Sequence, residues 1–256
     1  MIATLTMCSL DFDEDYIPHF LTYYNQQGVD RHLLILHSKK IVDEEALRDK
    51  YCNENIDIFF AYGEWNCIFL EGIKHNILKK IGVGQNDWII NTDIDEQVGV
   101  QNKTIKEKIF ELEINQQNVC RGLIVDRIAL NGELPEIQPE IPLSEQFPLY
   151  VNITRRLLKG DIRKFPITRG DLNVKGGSHR LTAESFDHAN IHDEILTINH
   201  YKWTSNVIDK LQERIATHKS FAHWRESDRF LRYWKRHKNL LLDQNMCKLD
   251  QNMCKN

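Results

Sequence analysis

The stretch DWIINTDIDEQV, residues 87–98, sets the interpretation of this chain, because a hydrophobic run ends in it with three acidic side chains. These side chains are Asp93, Asp95 and Glu96. Neighbouring carboxylates repel one another, and burial at the end of a strand also removes their hydration. The stretch therefore raises the question of what offsets this cost in free energy.

The chain before this stretch alternates short apolar runs with segments of helical period. This pattern favours a parallel sheet with crossover helices. The predicted strands cover residues 3–9, 31–38, 56–62 and 87–93, and the predicted helices cover 13–27, 43–52 and 65–80. Three βα units thus precede the acidic residues, which lie at the carboxyl end of the fourth predicted strand. Open α/β sheets bind ligands at this end of their strands.

The second half is less regular. A helix is predicted at residues 103–117 and a strand at 119–130, followed by a proline-rich loop at 131–147. Another strand is predicted at 194–201, and two C-terminal helices at 204–218 and 226–239. No linker separates independent domains, so we predict one domain over residues 1–238. Residues 239–256 form a predicted tail that carries the heptapeptide LDQNMCK twice in tandem.

Composition narrows the classes of function. A formal net charge of −4 argues against nucleic acid as the main partner, because phosphate binding requires a basic surface. The first residues lack a basic leader, and no apolar run is long enough for a transmembrane helix. We therefore expect a cytoplasmic protein, with peripheral membrane association left open. Cys8, Cys52, Cys67 and Cys120 have no metal-type spacing and are predicted to be buried free thiols.

The D-x-D spacing of Asp93 and Asp95 predicts a divalent metal site. Residues i and i+2 of an extended chain project to the same side, so both carboxylates can bind one hard cation. Such a metal, Mn²⁺ or Mg²⁺, usually neutralises a phosphate or diphosphate. The alternative is an acidic turn that only caps the following helix.

Glycine-rich nucleotide motifs are absent from the sequence. The turn after the first predicted strand reads CSLDFDED, without the glycines of a dinucleotide-binding fingerprint, and no P-loop pattern occurs. A nucleotide diphosphate would need another source of positive charge, which a metal at Asp93 and Asp95 supplies.

The segment WIINTDIDEQV resembles the D-x-D segment of GT-A fold glycosyltransferases, particularly those of the family 2-like and family 92-like branch. Four further segments are similar to blocks of these proteins in the same order: residues 13–37, 122–137, 176–181 and 199–203. The resemblance covers roughly residues 1–235. The chain departs from the family at Asp13 and Glu14, where an Asn-Glu pair is expected.

The resemblance implies a GT-A (Rossmann-like) α/β fold, with a mostly parallel sheet flanked by helices and with C-terminal helices. It further implies a hexosyltransferase-type enzyme that uses Mn²⁺ or Mg²⁺. The expected donor is a nucleotide-sugar and the expected acceptor is a carbohydrate or lipid-linked hydroxyl, with inversion at the anomeric carbon. Surface polysaccharide biosynthesis is the typical role of such proteins.

Metal and donor ligands follow from the same resemblance. It implies that Asp93 approaches the ribose or the metal, that Asp95 ligates the metal directly, and that His200 completes the site. Neutral imidazole is an acceptable divalent ligand. Lys202 lies two residues on and is predicted to pair with the leaving diphosphate. The alternatives are a hydrogen-bonded structural histidine and a solvated lysine.

A general base must lie within hydrogen-bond reach of the acceptor hydroxyl. Asp126 is our prediction, since the neighbouring Arg127 would keep it ionised. Glu96 and His179 are alternatives. Gly177 allows close backbone approach to a ligand, and we predict that it lies with His179 at the donor site, although a plain turn between strands fits the same residues.

A second interpretation is a non-catalytic carbohydrate- or nucleotide-binding protein on a GT-A-like scaffold, because a fold does not fix a function. A metal-dependent phosphohydrolase is disfavoured. Its aspartyl nucleophile normally follows the first strand, whereas the D-x-D here follows the fourth.

Overall fold

The computed structural model describes residues 1–64, 67–175, 177–217 and 221–241. The strands are β1 (Ile2–Ser9), β2 (Arg31–Ser38), β3 (Ile56–Tyr62), β4 (Trp88–Asn91), β5 (Glu96–Gly99), β6 (Val119–Ile128), β7 (Leu149–Val151), β8 (Arg163–Arg169), β9 (Val174–Lys175), β10 (Arg180–Leu181) and β11 (Ile191–His200). The helices are α1 (Tyr16–Gln26), α2 (Glu44–Tyr51), α3 (Cys67–Lys80), α4 (Ile105–Ile114), α5 (Leu143–Gln146), α6 (Ala183–Asp187), α7 (Val207–Thr217) and α8 (Phe221–His237), and a π-helical segment covers Ile153–Leu158. Gly176 and the duplicated heptapeptide lie outside the described residues.

The helix boundaries follow from the local sequence. Asp43 caps α2 by accepting a hydrogen bond from the Ala46 amide at 3.0 Å. Thr104 and Glu107 form a capping box at the start of α4. Gly28 follows α1 with φ +79°, a left-handed conformation that glycine adopts without strain. These boundaries agree with the sequence-based prediction to within a few residues.

The first four strands form a parallel sheet. Strand β1 pairs in parallel with both β2 and β4, and β2 pairs in parallel with β3. A crossover helix returns the chain to the same end of the sheet, so consecutive βα units give parallel pairing. The predicted α/β class, with a sheet flanked by helices, is confirmed.

Later strands extend this sheet with antiparallel pairs. Among the described residues the order is β3-β2-β1-β4-β8-β6-β11-β5, with β7 paired to β6. Strand β8 runs antiparallel to β4 and to β6. Strands β9 and β10 form a separate two-stranded hairpin. The sequence did not predict β5, β7 or the π-helical segment.

The chain folds into two compact units. The first comprises Met1–Leu123 and Arg163–Ile198, and the second comprises Ile124–Ile162 and Asn199–Asn256. The apolar faces of β1 to β4 and of α3 form a core in the first unit, from Ala3, Leu5, Met7, Leu33, Ile35, Ala61, Ile77 and Ile89. The C-terminal helices contribute to the core of the second unit, where Trp203 stacks on Phe230 with ring centroids 4.6 Å apart.

The cysteines partly match the prediction. Cys8 and Cys120 are buried thiols that form no disulfide, as predicted, and burial raises the pKa of Cys120 to about 12. The predicted burial of Cys52 is wrong, because this thiol is exposed just after α2. The side chain of Cys67 lies outside the described residues.

Among the helices of the described residues, none is both long and apolar enough to cross a membrane.

Candidate functional site

The acidic residues lie at a topological switch point of the sheet. Strands β2 and β3 extend the sheet on one side of β1, whereas β4 lies on the other side. The carboxyl ends of β1 and β4 at such a point are the usual ligand site of open α/β sheets. The segment Asp93 to Glu96 follows β4 directly and belongs to the first unit.

This segment is a turn and not extended chain. The Glu96 amide donates to the Asp93 carbonyl at 3.1 Å, and the Asp93 amide donates to Glu96 Oε2 at 3.1 Å. Tyr24 fixes the start of β5, since its hydroxyl donates to the Glu96 carbonyl at 3.1 Å and accepts from the Val98 amide at 3.1 Å. Asp93 and Asp95 therefore do not lie on extended chain as predicted, and the turn between β4 and β5 sets the direction of both carboxylates.

Lys164 offsets the cost of grouping these carboxylates. Its Nζ lies 2.7 Å from Asp93 Oδ2 and 2.6 and 2.8 Å from the two carboxylate oxygens of Glu96. The side chains of Lys164 and Glu96 are each only 2 % exposed, whereas that of Asp93 is half-exposed. Lys164 and Glu96 thus form a buried, hydrogen-bonded ion pair.

Lys164 was not among the predicted site residues, and it lies 71 residues from Asp93 in sequence. It is placed by the antiparallel pairing of β8 with β4, in which Ile167 lies opposite Ile90. The start of β8 therefore lies beside the carboxyl end of β4. The only available sequence signal was a lysine in an otherwise strand-like segment, and nothing in that segment names its partner.

The charged groups of this turn shift one another's pKa values. Burial alone would raise the pKa of Asp93, but Lys164 and Lys74 outweigh it and lower the pKa to about 2, against repulsion from Asp95. Burial alone would lower the pKa of Lys164, but the carboxylates of Asp93 and Glu96 raise it. The two residues are therefore both charged at neutral pH.

Lys74 is a second cation at the acidic turn. Burial lowers its pKa, repulsion from Lys164 adds to that effect, and the attraction of Asp93 and Glu96 does not compensate for it. Lys74 projects from α3 and was not among the predicted site residues. The turn is thus flanked by two lysines, of which only Lys164 is ion-paired with it.

The predicted donor-site residues Gly177 and His179 lie beside Lys164. The Gly177 amide donates to Glu71 Oε1 on α3 at 3.1 Å. The Ser178 carbonyl accepts from the Phe165 amide at 2.8 Å, which places the turn after β9 against the start of β8. Gly177 has φ +67°, a left-handed conformation that suits glycine.

His179 is oriented by a backbone carbonyl. Its Nδ1 lies 2.6 Å from the carbonyl oxygen of Arg163 and donates to it, because a carbonyl only accepts. In the neutral ring the lone pair is then on Nε2. This side chain can therefore accept a proton through Nε2.

Asp126 lies in the second unit and is saturated with hydrogen-bond donors. It accepts from the Thr154 amide at 2.7 Å, from the Thr154 hydroxyl at 2.8 Å, from His200 Nδ1 at 3.0 Å and from Trp203 Nε1 at 3.0 Å. It is 1 % exposed. Four donors stabilise the carboxylate and favour a structural role, and the prediction of Asp126 as general base stays a prediction.

The expected pairing of Asp126 with Arg127 is not what the structure shows. Successive strand residues point to opposite faces. Arg127 donates instead to the Phe147 carbonyl at 2.9 Å and to Asn199 Oδ1 at 3.1 Å, and it stacks over the Tyr150 ring at 3.9 Å.

His200 and Lys202 also belong to the second unit. His200 donates from Nδ1 to Asp126, so its neutral ring carries the lone pair on Nε2, as in carboxylate–histidine–metal arrangements. The Lys202 ammonium lies 5.6 Å from the centroid of the Trp203 ring. The predicted metal role of His200 and diphosphate role of Lys202 stay predictions.

The residues of the acidic turn suit a partial metal coordination. Mg²⁺ is commonly held by one or two carboxylates together with substrate phosphates and water, and Asp93 and Asp95 supply hard oxygen ligands of this kind. In the described part of the chain, one group of three ligating side chains lies close enough for a metal: Glu111, His192 and Glu194. The buried Lys108 ammonium already occupies its centre, 2.6 Å from both His192 Nε2 and Glu194 Oε2.

The chain has distant likenesses among the solved structures. No protein-family model matches the chain, and no curated protein matches it. The chain is similar to the crystal structure of S. aureus TarS, at 14 % identity and a TM-score of 0.40, over 92 % of this chain and 43 % of that one. It thus spans less than half of that protein.

Two further solved structures are similar at the same level. A shorter S. aureus TarS chain in complex with UDP has 12 % identity and a TM-score of 0.38, over 91 % of this chain and 72 % of that one. A 4-diphosphocytidyl-2C-methyl-D-erythritol synthase has 11 % identity and a TM-score of 0.37, over 66 % of this chain and 74 % of that one. At such low values the likenesses carry no argument about activity, and the family 2-like and family 92-like branch stays a prediction.

Proposed function

We propose that this protein is a glycosyltransferase of hexosyltransferase type. It moves a sugar from a nucleotide-sugar donor to a carbohydrate or lipid-linked hydroxyl, with inversion, and uses Mn²⁺ or Mg²⁺. The observation that carries the proposal is the acidic turn at the switch point of the sheet, which holds carboxylates for a metal beside two lysines. The segment WIINTDIDEQV, which resembles a D-x-D block, supports the same proposal.

Asp93 and Asp95 would hold the metal. When bound, the metal neutralises the donor diphosphate and the negative charge that develops on the leaving group. Lys164 keeps Asp93 and Glu96 in place, so the turn does not depend on the metal for its shape. Gly177 would permit close approach of the donor to the turn after β9.

Among the predicted bases, the local geometry favours His179. Both carboxylate oxygens of Glu96 accept from the Lys164 ammonium, and Asp126 accepts four hydrogen bonds, so neither carboxylate is disposed to take a proton from an acceptor hydroxyl. His179 is partly exposed, and the contact with the Arg163 carbonyl fixes the tautomer that can accept a proton on Nε2. A His179→Gln variant should therefore lose transfer while retaining donor binding.

The proposal is tested by thermal unfolding of the purified chain with UDP, GDP and dTDP, each with and without Mn²⁺. A ligand at about a hundred times its dissociation constant stabilises the native state by roughly 2.7 kcal/mol, which is easily seen as a rise in melting temperature. We expect a rise that requires one nucleotide and the metal together. If no combination raises the melting temperature, the donor site is wrong.

Asp95→Asn is the matched variant, because it removes one predicted ligand charge and nearly preserves the size of the side chain. We expect it to abolish the metal-dependent rise and the transfer of sugar, and circular dichroism melting of the ligand-free variant checks that it is folded. Full activity of Asp95→Asn at saturating donor would contradict the metal assignment.

A non-catalytic binding protein is the second candidate. The observation that favours it is the pairing of Lys164 with Asp93 and Glu96, which balances part of the acidic charge without a metal. Such a protein would bind a nucleotide or nucleotide-sugar but would neither transfer nor hydrolyse the sugar. Release of free nucleotide from the donor, followed over time, separates the two candidates.

A further inference from the structure

Helix α3 presents two charged side chains toward the acidic turn. Glu71 and Lys74 are three residues apart and therefore lie on the same face of the helix. Glu71 accepts a hydrogen bond from the Gly177 amide, which ties this face to the turn after β9. Lys74 interacts electrostatically with Asp93, Glu96 and Lys164, so the same face borders the acidic turn.

The two lysines at the acidic turn are not equivalent. Lys164 is buried and bonded to both Asp93 and Glu96. Lys74 is partly exposed, and within the described part of the chain its ammonium makes no hydrogen bond or ion pair. Lys74 is thus the cation with capacity for a further anion.

The balance of charge indicates which anion this is. Three carboxylates in the turn and the Glu71 carboxylate beside Lys74 face two ammonium groups, which leaves two net negative charges and attracts a divalent cation. With that cation bound, the site has no net charge, and the metal and the Lys74 ammonium can both contact a diphosphate. Without Lys74, the metal-loaded site would carry one net negative charge and would hold a diphosphate much more weakly.

We propose that Lys74 is a donor-binding residue whose ammonium pairs with the diphosphate of the nucleotide-sugar, while Lys164 holds Asp93 and Glu96 in place within the turn. This inference rests on the proposed function and assigns to Lys74 the diphosphate role that sequence analysis gave to Lys202. The expected ligand chemistry is a diphosphate with a divalent cation, whichever base it carries.

The test compares the wild-type protein with Lys74→Met, Lys74→Arg and Lys80→Met. Lys80 lies on the same helix and is exposed, so Lys80→Met makes the same change of charge away from the turn. The probes are inorganic pyrophosphate with Mn²⁺, and UDP, GDP and dTDP with Mn²⁺, measured by calorimetric titration. Circular dichroism melting of each variant confirms that it is folded.

We expect Lys74→Met to weaken pyrophosphate binding about ten- to a hundredfold, as for loss of a charge-assisted hydrogen bond. Lys74→Arg and Lys80→Met should bind within about threefold of wild type. Equal pyrophosphate affinity of Lys74→Met and wild type would overturn the inference, as would a wild-type protein that does not bind pyrophosphate with Mn²⁺.

The nucleotide probes separate this inference from the proposed function. If pyrophosphate binds through Lys74 but none of the three nucleotides binds more tightly than pyrophosphate, the diphosphate subsite stands and the nucleotide-sugar donor is wrong. If a nucleotide binds wild type and Lys74→Met equally well, the donor site stands and the role of Lys74 is wrong.

Discussion

Replacing Lys164 with methionine tests the central contact of the site. The substitution keeps most of the apolar stem and removes the ammonium that bonds to Asp93 and Glu96. Since Lys164 and Glu96 are each only 2 % exposed, the change leaves a buried carboxylate without its cation. Removing one partner of a buried ion pair costs about 3–5 kcal/mol.

The half-exposed Asp93 should add little, because exposed ion pairs contribute roughly 0–1 kcal/mol. We therefore expect Lys164→Met to lower the free energy of unfolding by about 3–5 kcal/mol. At about 2–4 °C per kcal/mol for a chain of this size, the melting temperature should fall by about 6–20 °C. Urea titration followed by far-UV circular dichroism measures the free energy.

A double-mutant cycle isolates the pair. Glu96→Gln should also destabilise the protein, and the double variant Lys164→Met/Glu96→Gln should lose clearly less than the sum of the two single losses. Lys80→Met is the control and should change the free energy by less than about 0.5 kcal/mol. A loss below about 1 kcal/mol for Lys164→Met, or strictly additive losses in the cycle, would refute the buried pair.

Two further predictions concern buried polar groups. Burial lowers the pKa of His32 from 6.5 to about 4, so the unfolded chain binds the proton first as pH falls, and His32 should lower the free energy of unfolding by about 3 kcal/mol between pH 6.5 and 4. Urea titrations over this range measure the loss, and a His32→Gln variant with the same pH dependence as wild type would contradict the prediction. Asp126→Ala should lower the free energy of unfolding by about 3 kcal/mol or more, because it leaves the Thr154 amide and the Trp203 indole without their acceptor. A stable variant with strongly reduced kcat would instead support the general-base role.

The local sequence was sufficient for the parallel half of the fold. Hydrophobic runs, helical periods and caps such as Asp43 depend on neighbours within a few residues, so β1 to β4 and the helices between them were predicted closely. The antiparallel strands were harder to predict. Their pairing depends on contacts distant in sequence, and the short strands β5 and β7 carry too few residues to show a period.

The candidate site was likewise predicted only in part from the sequence. The position of Asp93, Asp95 and Glu96 after a buried strand followed from the sequence, but their conformation did not, because the hydrogen bond from the Glu96 amide to the Asp93 carbonyl makes the segment a turn. The surroundings of Asp126 could not be predicted either. Its four donors come from two segments, around Thr154 and around His200 and Trp203, that are both far from Asp126 in sequence.

The sequence by itself determined the βα order of the first half and the placement of three acidic residues at the end of its fourth strand, because hydrophobic period and capping are local properties of the chain. Only the tertiary structure decided which cations face those residues. Lys164 reaches them because β8 pairs antiparallel with β4, and Lys74 reaches them because α3 packs beside the turn. A charge is offset by whatever lies within a few ångströms in space, and sequence separation does not report that distance.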